Sequence, residues 1–368
     1  MLTLLHCADL HLEARFGERM PWAWADRRRA GLRAALTRLL DEARTRRVDA
    51  VTIAGDLYDG ENATPEMGHW LREQFAALAP TRVYIAPGSS DAYTAGSLYA
   101  HSPWPANVHI FVPGAPAAVE LAPGVYLWGA ALPVGPEQRS LPELRAEPAG
   151  THLLLAHAAP AAPAFDEGNL YSVDPSALAA AGFQAALLGC LHAAWRTDQP
   201  LLCVYPGSPE PLAPHEAHGA HGALLVSVEG RACRAEFIPT AQWRYASLAV
   251  DLAGCYNAVE AAALIGHALR DAGLDKHTLA RVTLTGTDGL DLTALHARVD
   301  TPAWVQYQQR RLPTSELEDL AETRGVKGFL AKRRNGHGSS EQVRRDAAAI
   351  DLALRALDGG KPRRSKLV

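Results

Sequence analysis

Two short apolar stretches that run directly into acidic residues constrain the fold more than any other feature of this chain. Residues 2–8 are followed by Asp9 and His11, and residues 48–54 are followed by Gly55-Asp56. Short, nearly continuous apolar runs of this kind are typical of central strands in a parallel sheet. Because open α/β sheets bind ligands at the carboxyl ends of their strands, we expect both stretches to deliver polar side chains to one edge.

The segments that follow continue as alternating helices and strands. Apolar residues at helical spacing predict a helix over residues 26–46 that is capped by Asp26, and a second helix over residues 64–78. A third strand, residues 82–86, ends at Pro87-Gly88-Ser89-Ser90-Asp91. Alternating strands and helices predict a layered α/β domain.

Later strands bring further candidate ligands to strand ends. The strand over residues 152–156 stops at His157, and the strand over residues 185–188 is closed by Gly189-Cys190-Leu191-His192. Other predicted elements are short strands at residues 108–112, 125–130, 201–205 and 223–228, and a helix at residues 177–181.

The pattern changes after residue 240, and the sequence predicts three domains. Residues 1–240 form the α/β domain, residues 241–300 a small α+β module, and residues 301–368 a helical, basic segment. Within the last two domains, strands are predicted at residues 245–252 and 280–285, and helices at residues 258–272, 292–299, 315–324 and 341–357.

The composition is typical of a soluble globular protein. Of the 368 residues, 48% are hydrophobic and 21% are charged, and no segment approaches the roughly 18 apolar residues of a membrane span. Polar residues interrupt the apolar start and no basic leader precedes it, so we expect no signal peptide. The five cysteines form no CxxC pair, which disfavours a disulfide framework. We therefore expect a cytoplasmic protein with reduced thiols and no membrane partner.

The charge is distributed unevenly along the chain. Residues 301–368 carry 14 Lys and Arg against 8 Asp and Glu, whereas the rest of the chain carries 22 against 32. A basic C-terminal segment in an otherwise acidic chain indicates contact with nucleic acid or an acidic partner. A solvent-exposed helical face explains the same distribution of charge about equally well.

Five polar fragments follow predicted strands and together suggest a metal site. They are Asp9-x-His11, Gly55-Asp56-x-x-Asp59, Gly88-Ser89-Ser90-Asp91, His157 and Gly189-Cys190-x-His192. Hydrolysis of a phosphodiester requires a stronger nucleophile than water and a counter-charge for the phosphoryl oxygens, and a pair of divalent metals supplies both. Mixed Asp and His ligands suit manganese, iron or zinc better than calcium.

With these fragments the chain resembles the calcineurin-like metallophosphoesterases, and more narrowly their Mre11/SbcD-type DNA-repair nuclease branch. Tyr205-Pro206-Gly207-Ser208, after the last His fragment, carries the narrower resemblance. The resemblance implies a four-layer α/β/β/α sandwich over residues 1–240. Residues 241–300 are similar to the DNA-capping domain of that branch, and residues 301–368 to the segment that docks on a Rad50- or SbcC-like SMC ATPase.

The resemblance also implies a role for each residue that matches the family pattern. Asp9, His11, Asp56 and His192 would hold a first metal, with Asp56 bridging to a second metal that His157 also binds. Manganese is the expected ion, with zinc or iron as alternatives. Asp56 and His157 would therefore serve catalysis as well as metal binding.

Three residues depart from the family pattern. Ser89 stands where the family has an Asn ligand, Cys190 where it has a His ligand, and Ser90 where a His protonates the leaving group. A serine cannot act as an acid near pH 7, and loss of a general acid typically costs about 10²–10⁴-fold in rate. Cys190 is either a ligand that favours a softer metal or a small buried thiol. We expect one firm metal, a weak or altered second one, and slow or absent nuclease activity.

Two further groups leave alternatives open. The segment His215-Glu216-Ala217-His218-Gly219-Ala220-His221 has the composition of a metal-binding tract, and it also suits a loop that leads into a strand. Arg15 and Arg19, close to the first fragment, either contact DNA phosphates or belong to a wet surface.

Three functions are consistent with these observations. The first is a metal-dependent DNA exo- or endonuclease subunit, a homodimer that works with an SMC-like ATPase in double-strand-break repair. The second is a scaffold that keeps the fold and binds DNA or the ATPase without catalysis. A small-molecule or phosphoprotein phosphatase is disfavoured by the added C-terminal modules.

Overall fold

The structure is a computed structural model that divides into two compact units, Met1–Trp243 and Arg244–Val368. It describes residues 1–16, 20–101, 103–114, 116–131, 144–161, 172–252, 255, 257–286, 299, 301 and 303–309. Within these ranges, no helix is long and apolar enough to cross a membrane.

The first unit contains fourteen strands and four helices among its described residues. In chain order these are β1 (Leu2–Cys7), α1 (Trp22–Arg46), β2 (Ala50–Ala54), α2 (Pro65–Ala76), β3 (Arg82–Ala86), α3 (Leu98–His101), β4 (Val108–Ile110), β5 (Ala117–Ala122), β6 (Val125–Ala130), β7 (Thr151–His157), β8 (Ala159–Pro160), β9 (Ser172–Val173), α4 (Pro175–Ala180), β10 (Ala185–Gly189), β11 (Trp195–Thr197), β12 (Leu202–Tyr205), β13 (Gly222–Glu229) and β14 (Ala232–Pro239). Single 3₁₀ turns lie at Gly60–Asn62 and Pro214–Glu216.

Two six-stranded sheets form the centre of this unit. Their orders are β14-β13-β1-β2-β3-β4 and β11-β12-β10-β7-β6-β5. In the first sheet β1 to β4 pair in parallel, and in the second β6, β7, β10 and β12 do so. The antiparallel strands lie toward the sheet edges.

Successive side chains of each strand point to opposite faces of its sheet, and this alternation produces the layers. In β1, Leu5 and Cys7 pack with residues of α1 and α2, whereas Leu4 packs with Leu155 and Leu187 of the second sheet. The outer face of the second sheet packs against Leu178 in α4. Burying each such leucine contributes about 1.5–3 kcal/mol, so both faces of both sheets are stabilised. The resulting order is helix, sheet, sheet, helix, which confirms the predicted α/β/β/α sandwich.

The start of α1 differs from the prediction. The helix begins at Trp22, because Pro21 has φ −55° and its carbonyl accepts the amides of Trp24 at 2.9 Å and Ala25 at 3.1 Å. The predicted cap at Asp26 was wrong. Asp26 lies inside the helix, where its carboxylate pairs with Arg29 instead.

Five strands of the first unit are not predicted from the sequence: β5, β8, β9, β11 and β14. The two-residue strands β8 and β9 pair with each other. Strands β5, β11 and β14 each pair antiparallel with one neighbour at a sheet edge. In β14 the inward positions are Cys233, Ala235 and Phe237, a set with too little apolar bulk to give a strong alternating pattern.

The second unit is a parallel sheet with one described helix. Its elements are β15 (Arg244–Asp251), α5 (Ala258–Asp271), β16 (Thr278–Thr285) and β17 (Trp304–Gln309), with strand order β15-β16-β17. Leu248, Val250 and Val282 pack on Ile265 and Leu269 of α5. Residues 304–309 form a strand where a helical segment was expected. The predicted helix at residues 292–299, apart from residue 299, and those at residues 315–324 and 341–357 lie outside the described residues.

Candidate metal centre

Five strand ends meet at one place in the first unit. After β1 and β2 the backbones are held together, since the Asp9 amide donates to the Gly55 carbonyl at 3.1 Å and the His11 amide to the Asp56 carbonyl at 2.9 Å. From the other sheet, the His157 ring at the end of β7 donates to the Ala54 carbonyl at 2.9 Å. Residues that are far apart in the chain thereby share one pocket.

Gly88 allows the end of β3 to approach this pocket. A Cβ atom on Gly88 would lie 2.7 Å from the Asp56 amide nitrogen and 2.9 Å from Cγ of His157. Real Cβ atoms do not make contacts this close, so only glycine leaves room for both neighbours.

The buried Asp91 carboxylate holds the loops around the site. It accepts the amides of Asp56 at 3.0 Å, Leu57 at 2.8 Å and Gly88 at 2.6 Å, and the Tyr99 hydroxyl at 2.6 Å. Burial and the nearby Asp56 raise the pKa of Asp91 to about 6. Asp91 acts on the loop backbone rather than as a ligand.

The structure brings the predicted ligands together in two groups. Ligand atoms of Asp9, His11 and His192 lie within 4.8 Å of one another, as do those of Asp9, Asp56 and His157. Asp56 Oδ2 also lies 3.5 Å from His11 Nε2 and 3.6 Å from His157 Nε2. Asp9 belongs to both groups and Asp56 contacts rings of both, so each carboxylate is placed between two adjacent cation positions.

All three histidines are oriented through Nδ1. The Nδ1 atom of His11 lies 2.7 Å from Asp59 Oδ1, that of His192 lies 2.9 Å from Glu216 Oε1, and that of His157 faces a backbone carbonyl. Because Nδ1 is engaged in each ring, Nε2 is the atom left for a metal.

An unpaired buried atom tests whether the site fits a metal. Among the residues that the structure describes, none forms a hydrogen bond with the buried Nε2 of His11. Buried polar nitrogens are nearly always paired, and a coordinated cation satisfies such an atom as well as a hydrogen bond does. Two carboxylates and three imidazoles form the mixed donor set that suits manganese, iron or zinc. The residues therefore fit a divalent metal.

The charges in the pocket balance one another. Burial opposes the charged form of His157, but the Asp56 carboxylate and the Cys190 thiol outweigh it and hold the pKa of His157 well above its ordinary value. Complete burial raises the pKa of Asp9, although His157 and His192 act against the shift. A buried carboxylate pair requires positive charge beside it, which either protonated rings or a cation supplies.

Backbone strain is concentrated at the same residues. Asp9, His11, Asp56 and Cys190 have φ values of 54°, 45°, 50° and 107°. Non-glycine residues adopt positive φ rarely, at a cost of about 1–3 kcal/mol each, and such residues cluster at functional sites. Here the strain aims the side chains that follow β1, β2 and β10 into the pocket.

The three departures from the family pattern have distinct surroundings. Ser90 donates its amide to Asp56 Oδ1 at 2.8 Å and its hydroxyl to Asp56 Oδ2 at 3.0 Å, so it orients that carboxylate. The Ser89 hydroxyl makes only long contacts to Asp56, at 3.4 and 3.5 Å. The Cys190 amide donates to both oxygens of Asp9, at 3.1 and 3.0 Å. The Cys190 thiol contacts His157 but belongs to neither group of closely spaced ligand atoms.

The remaining predicted residues lie around the site or outside the described part of the chain. Arg15 is exposed, and its Nε donates to Asn62 Oδ1 at 2.7 Å. Asn62 belongs to the turn that begins after Asp59, the partner of His11. Arg19 lies outside the described residues.

Sequence reasoning gave no role to Asp59 or Glu216, which orient two of the rings. Asp59 stands within the fragment Gly55-Asp56-x-x-Asp59, three residues after Asp56. Glu216 lies 24 residues beyond His192, in a segment whose composition suits either a metal tract or a loop. No local spacing signal connects a carboxylate to a histidine at that separation.

Comparisons with known proteins relate this chain to a family. The family model for calcineurin-like phosphoesterases matches residues 2–188, just over half of the chain. The chain is similar to the uncharacterized metallophosphoesterase YhaO of Bacillus subtilis (strain 168), with 33% identity over 119 residues, and the match covers 31% of this chain and 29% of that relative. The chain thus matches less than a third of the length of this relative.

Among solved structures, the protein TT1561 of Thermus thermophilus is similar at 12% identity and a dimetal phosphatase of Danio rerio at 14%. Each has a TM-score of 0.39 and covers 64% of this chain and 98% of its own. The family match extends from β1 to β10 and includes four of the five strand ends that build the pocket. This chain therefore belongs to the calcineurin-like phosphoesterase family.

Proposed function

We propose that this protein hydrolyses phosphodiester bonds in DNA with bound divalent metal, at a reduced rate, as a nuclease subunit of a Mre11/SbcD-like double-strand-break repair complex. The observation that carries the hydrolytic part is the common orientation of His11, His157 and His192. Each ring is held through Nδ1 and presents Nε2 to Asp9 or Asp56.

The two groups divide the ligands between two positions. Asp9, His11, Asp56 and His192 would hold one metal. Asp56 would also help to hold a second metal with His157 and Asp9. When bound, such metals polarise a phosphoryl oxygen and lower the pKa of a coordinated water. Manganese is the proposed ion for the first position.

Proton transfer to the leaving group is the weak step. Ser90 stands at the position of the family's acid, and its hydroxyl is committed to Asp56 at 3.0 Å. Without an imidazole there, the leaving oxygen takes its proton from solvent, and we expect a rate about 10²–10⁴-fold below that of a site with a general acid. Cys190, beside His157, would favour zinc or iron at the second position.

The assignment to DNA repair is supported by the resemblance and by charge. Tyr205-Pro206-Gly207-Ser208 carries the resemblance to the nuclease branch. The 14 basic and 8 acidic residues of 301–368 suit contact with DNA or an acidic partner. We propose a homodimer that acts with a Rad50- or SbcC-like SMC ATPase.

Cleavage of linear duplex DNA by the full chain with Mn²⁺ tests this function. We expect slow cleavage that falls to the metal-free background in Asp56→Ala and is unchanged in Asp41→Ala, an exposed aspartate on α1 whose side chain is 61% accessible. Activity on bis(p-nitrophenyl) phosphate but not on p-nitrophenyl phosphate would separate a diesterase from a monoesterase. DNA cleavage that survives in Asp56→Ala, or none with Mn²⁺, Zn²⁺ or Fe²⁺, would refute the proposal.

The second candidate is a scaffold that binds DNA or the ATPase without catalysis, and the environment of Ser90 favours it. The triple variant Ser89→Asn, Ser90→His, Cys190→His separates the two. A large gain in DNA cleavage from an inactive wild type indicates a decayed site and supports the scaffold. No gain from an already active wild type indicates a rebuilt catalytic site.

A further inference from the structure

The segment that follows β12 contacts His192 from two sides. On the side-chain side, Glu216 Oε1 lies 2.9 Å from His192 Nδ1, and Glu216 Oε2 accepts the Leu212 amide at 2.7 Å. Only 8% of Glu216 is exposed. Both carboxylate oxygens are therefore committed, and Glu216 has little freedom to move away from the ring.

On the backbone side, the His192 carbonyl accepts the Ser208 amide at 2.9 Å. His221 contacts both Ser208 and Glu216, and it therefore connects the backbone contact to the side-chain contact. Its Nδ1 lies 3.0 Å from Ser208 Oγ, and its Nε2 lies 3.0 Å from the Glu216 carbonyl. The Nδ1 atom also lies 3.1 Å from the Ser208 carbonyl oxygen, so both nitrogens of the buried His221 ring contact this segment. His192, Glu216, His221 and Ser208 therefore form a closed cycle of hydrogen bonds.

Gly207 permits this close approach. It has φ 76°, and a Cβ atom there would lie 2.8 Å from the His192 carbonyl oxygen and 2.9 Å from the Ala194 amide nitrogen. Any other residue would push the backbone of the β12 end away from His192. The glycine of Tyr205-Pro206-Gly207-Ser208 is thereby explained by a contact with the backbone of a candidate ligand.

The histidine-rich tract is divided by burial. His215 and His218 are exposed, whereas Glu216 and His221 are buried and form part of the cycle of hydrogen bonds. Within the described residues, neither group of closely spaced ligand atoms includes a member of this tract. Its geometry suits support of a neighbouring ligand and not a separate metal site.

We propose that Glu216 is a positioning residue that orients the imidazole of His192 for metal binding. His221 and Ser208 fix the positions of Glu216 and His192 relative to each other. This inference rests on the proposed metal-dependent function of the site. Carboxylates that hydrogen-bond a ligating histidine fix its tautomer and direction, and their loss typically costs about 10–100-fold in metal affinity.

Calorimetric titration of the metal-free full chain with Mn²⁺ alone tests the proposal. We expect Glu216→Ala to weaken Mn²⁺ binding about 10–100-fold. Glu216→Gln, which keeps an oxygen that can accept from His192 Nδ1, should give an affinity between those of Glu216→Ala and the wild type. The matched control His218→Ala alters an exposed histidine of the same tract and should bind Mn²⁺ as the wild type does.

The visible absorption spectrum of the Co²⁺-loaded protein gives a readout that a loss of stability alone would not change. The spectrum should shift in Glu216→Ala and return toward the wild-type form in Glu216→Gln. Wild-type affinity and an unchanged Co²⁺ spectrum in a folded Glu216→Ala would overturn the inference, as would a wild type that binds neither ion. If Glu216→Ala does not fold, Glu216→Gln decides by the same two measurements.

These outcomes are separate from the test of catalysis. A wild type that binds Mn²⁺ but cleaves no DNA with Mn²⁺, Zn²⁺ or Fe²⁺ refutes the proposed function, and the effect of Glu216 on metal affinity is still measurable in it.

Discussion

The histidines of this protein differ in the groups that their ring nitrogens contact. In the site, Nδ1 of His11 and His192 meets a carboxylate, which stabilises the charged ring or a metal on Nε2. His6, only five residues before His11, is instead enclosed between the two sheets, with Nδ1 3.1 Å from Thr52 Oγ1 and Nε2 3.1 Å from the Leu188 carbonyl. The same residue type therefore has opposite proton affinities in the two places.

Burial lowers the pKa of His6 to about 4 from an ordinary value of 6.5. The unfolded chain therefore takes up a proton below about pH 6.5 that the folded chain does not accept until about pH 4. We predict that His6 contributes no pH dependence above pH 7, and that its effect lowers the free energy of unfolding by about 3 kcal/mol as the pH falls to about 4.

Urea unfolding of wild type and His6→Gln at pH 7.5 and pH 4.5 measures this effect. The difference between the two proteins should change with pH, because all other titrating groups are common to both. If both lose stability in parallel, the titration of His6 is not the cause.

Helix α2 shows how much one element depends on its first residues. Thr64 precedes Pro65, and its hydroxyl accepts the Met67 amide at 3.2 Å. Proline is favoured at the first helical position, and a threonine cap satisfies an amide that has no partner within the helix. The cap fixes where α2 starts, and Leu71 and Phe75 then pack on the first sheet.

We predict that Thr64→Ala lowers the free energy of unfolding by about 1 kcal/mol, whereas Thr64→Ser, which keeps the hydroxyl, stays close to the wild type. Urea unfolding at pH 7.5 provides the measurement. Equal stability of Thr64→Ala and wild type would show that the cap contributes nothing.

At the scale of the whole molecule, the first unit has its own core, and its last residue, Trp243, is buried. Trp243 is 6% exposed, its ring lies 6.4 Å from that of Trp24, and its amide donates to the buried Glu210 at 2.9 Å. Glu210 also accepts the Gln242 amide and the Arg38 guanidinium. The last residues of the unit thus satisfy a carboxylate that would otherwise be buried with fewer partners.

We predict that a chain of residues 1–243 folds and unfolds cooperatively, because its three hydrophobic clusters are built from its own described residues. A chain of residues 1–239 should be less stable by about 3–5 kcal/mol, since it lacks the Trp243 side chain and two donors to Glu210. Thermal and urea unfolding followed by circular dichroism compare the two. Equal stability of both chains would contradict the role given to Trp243.

The sequence alone places the candidate ligands at the ends of strands. Asp9 and Asp56 each stand after an apolar run, and parallel strands of one sheet bring such positions to one edge. His157 also stands after an apolar run, but it ends a strand of the second sheet, and the packing of the two sheets brings it to the same place. The same holds for elements with strong local signals, such as β3, which was predicted with its exact bounds, and α2 with Thr64 and Pro65 at its start. Local sequence is sufficient where the deciding interactions lie within a few residues.

The tertiary structure alone decided what surrounds those ligands. Asp59 lies 48 residues from His11 and Glu216 lies 24 from His192, and only packing determines which carboxylate meets which ring. Strand pairing at the sheet edges, as in β14, depends in the same way on a distant partner rather than on a strong pattern of its own. Strand order places the ligands at the carboxyl edge of each sheet, and the packing of the two sheets brings those edges together. Long-range hydrogen bonds that no local spacing encodes determine the direction in which each ligand points.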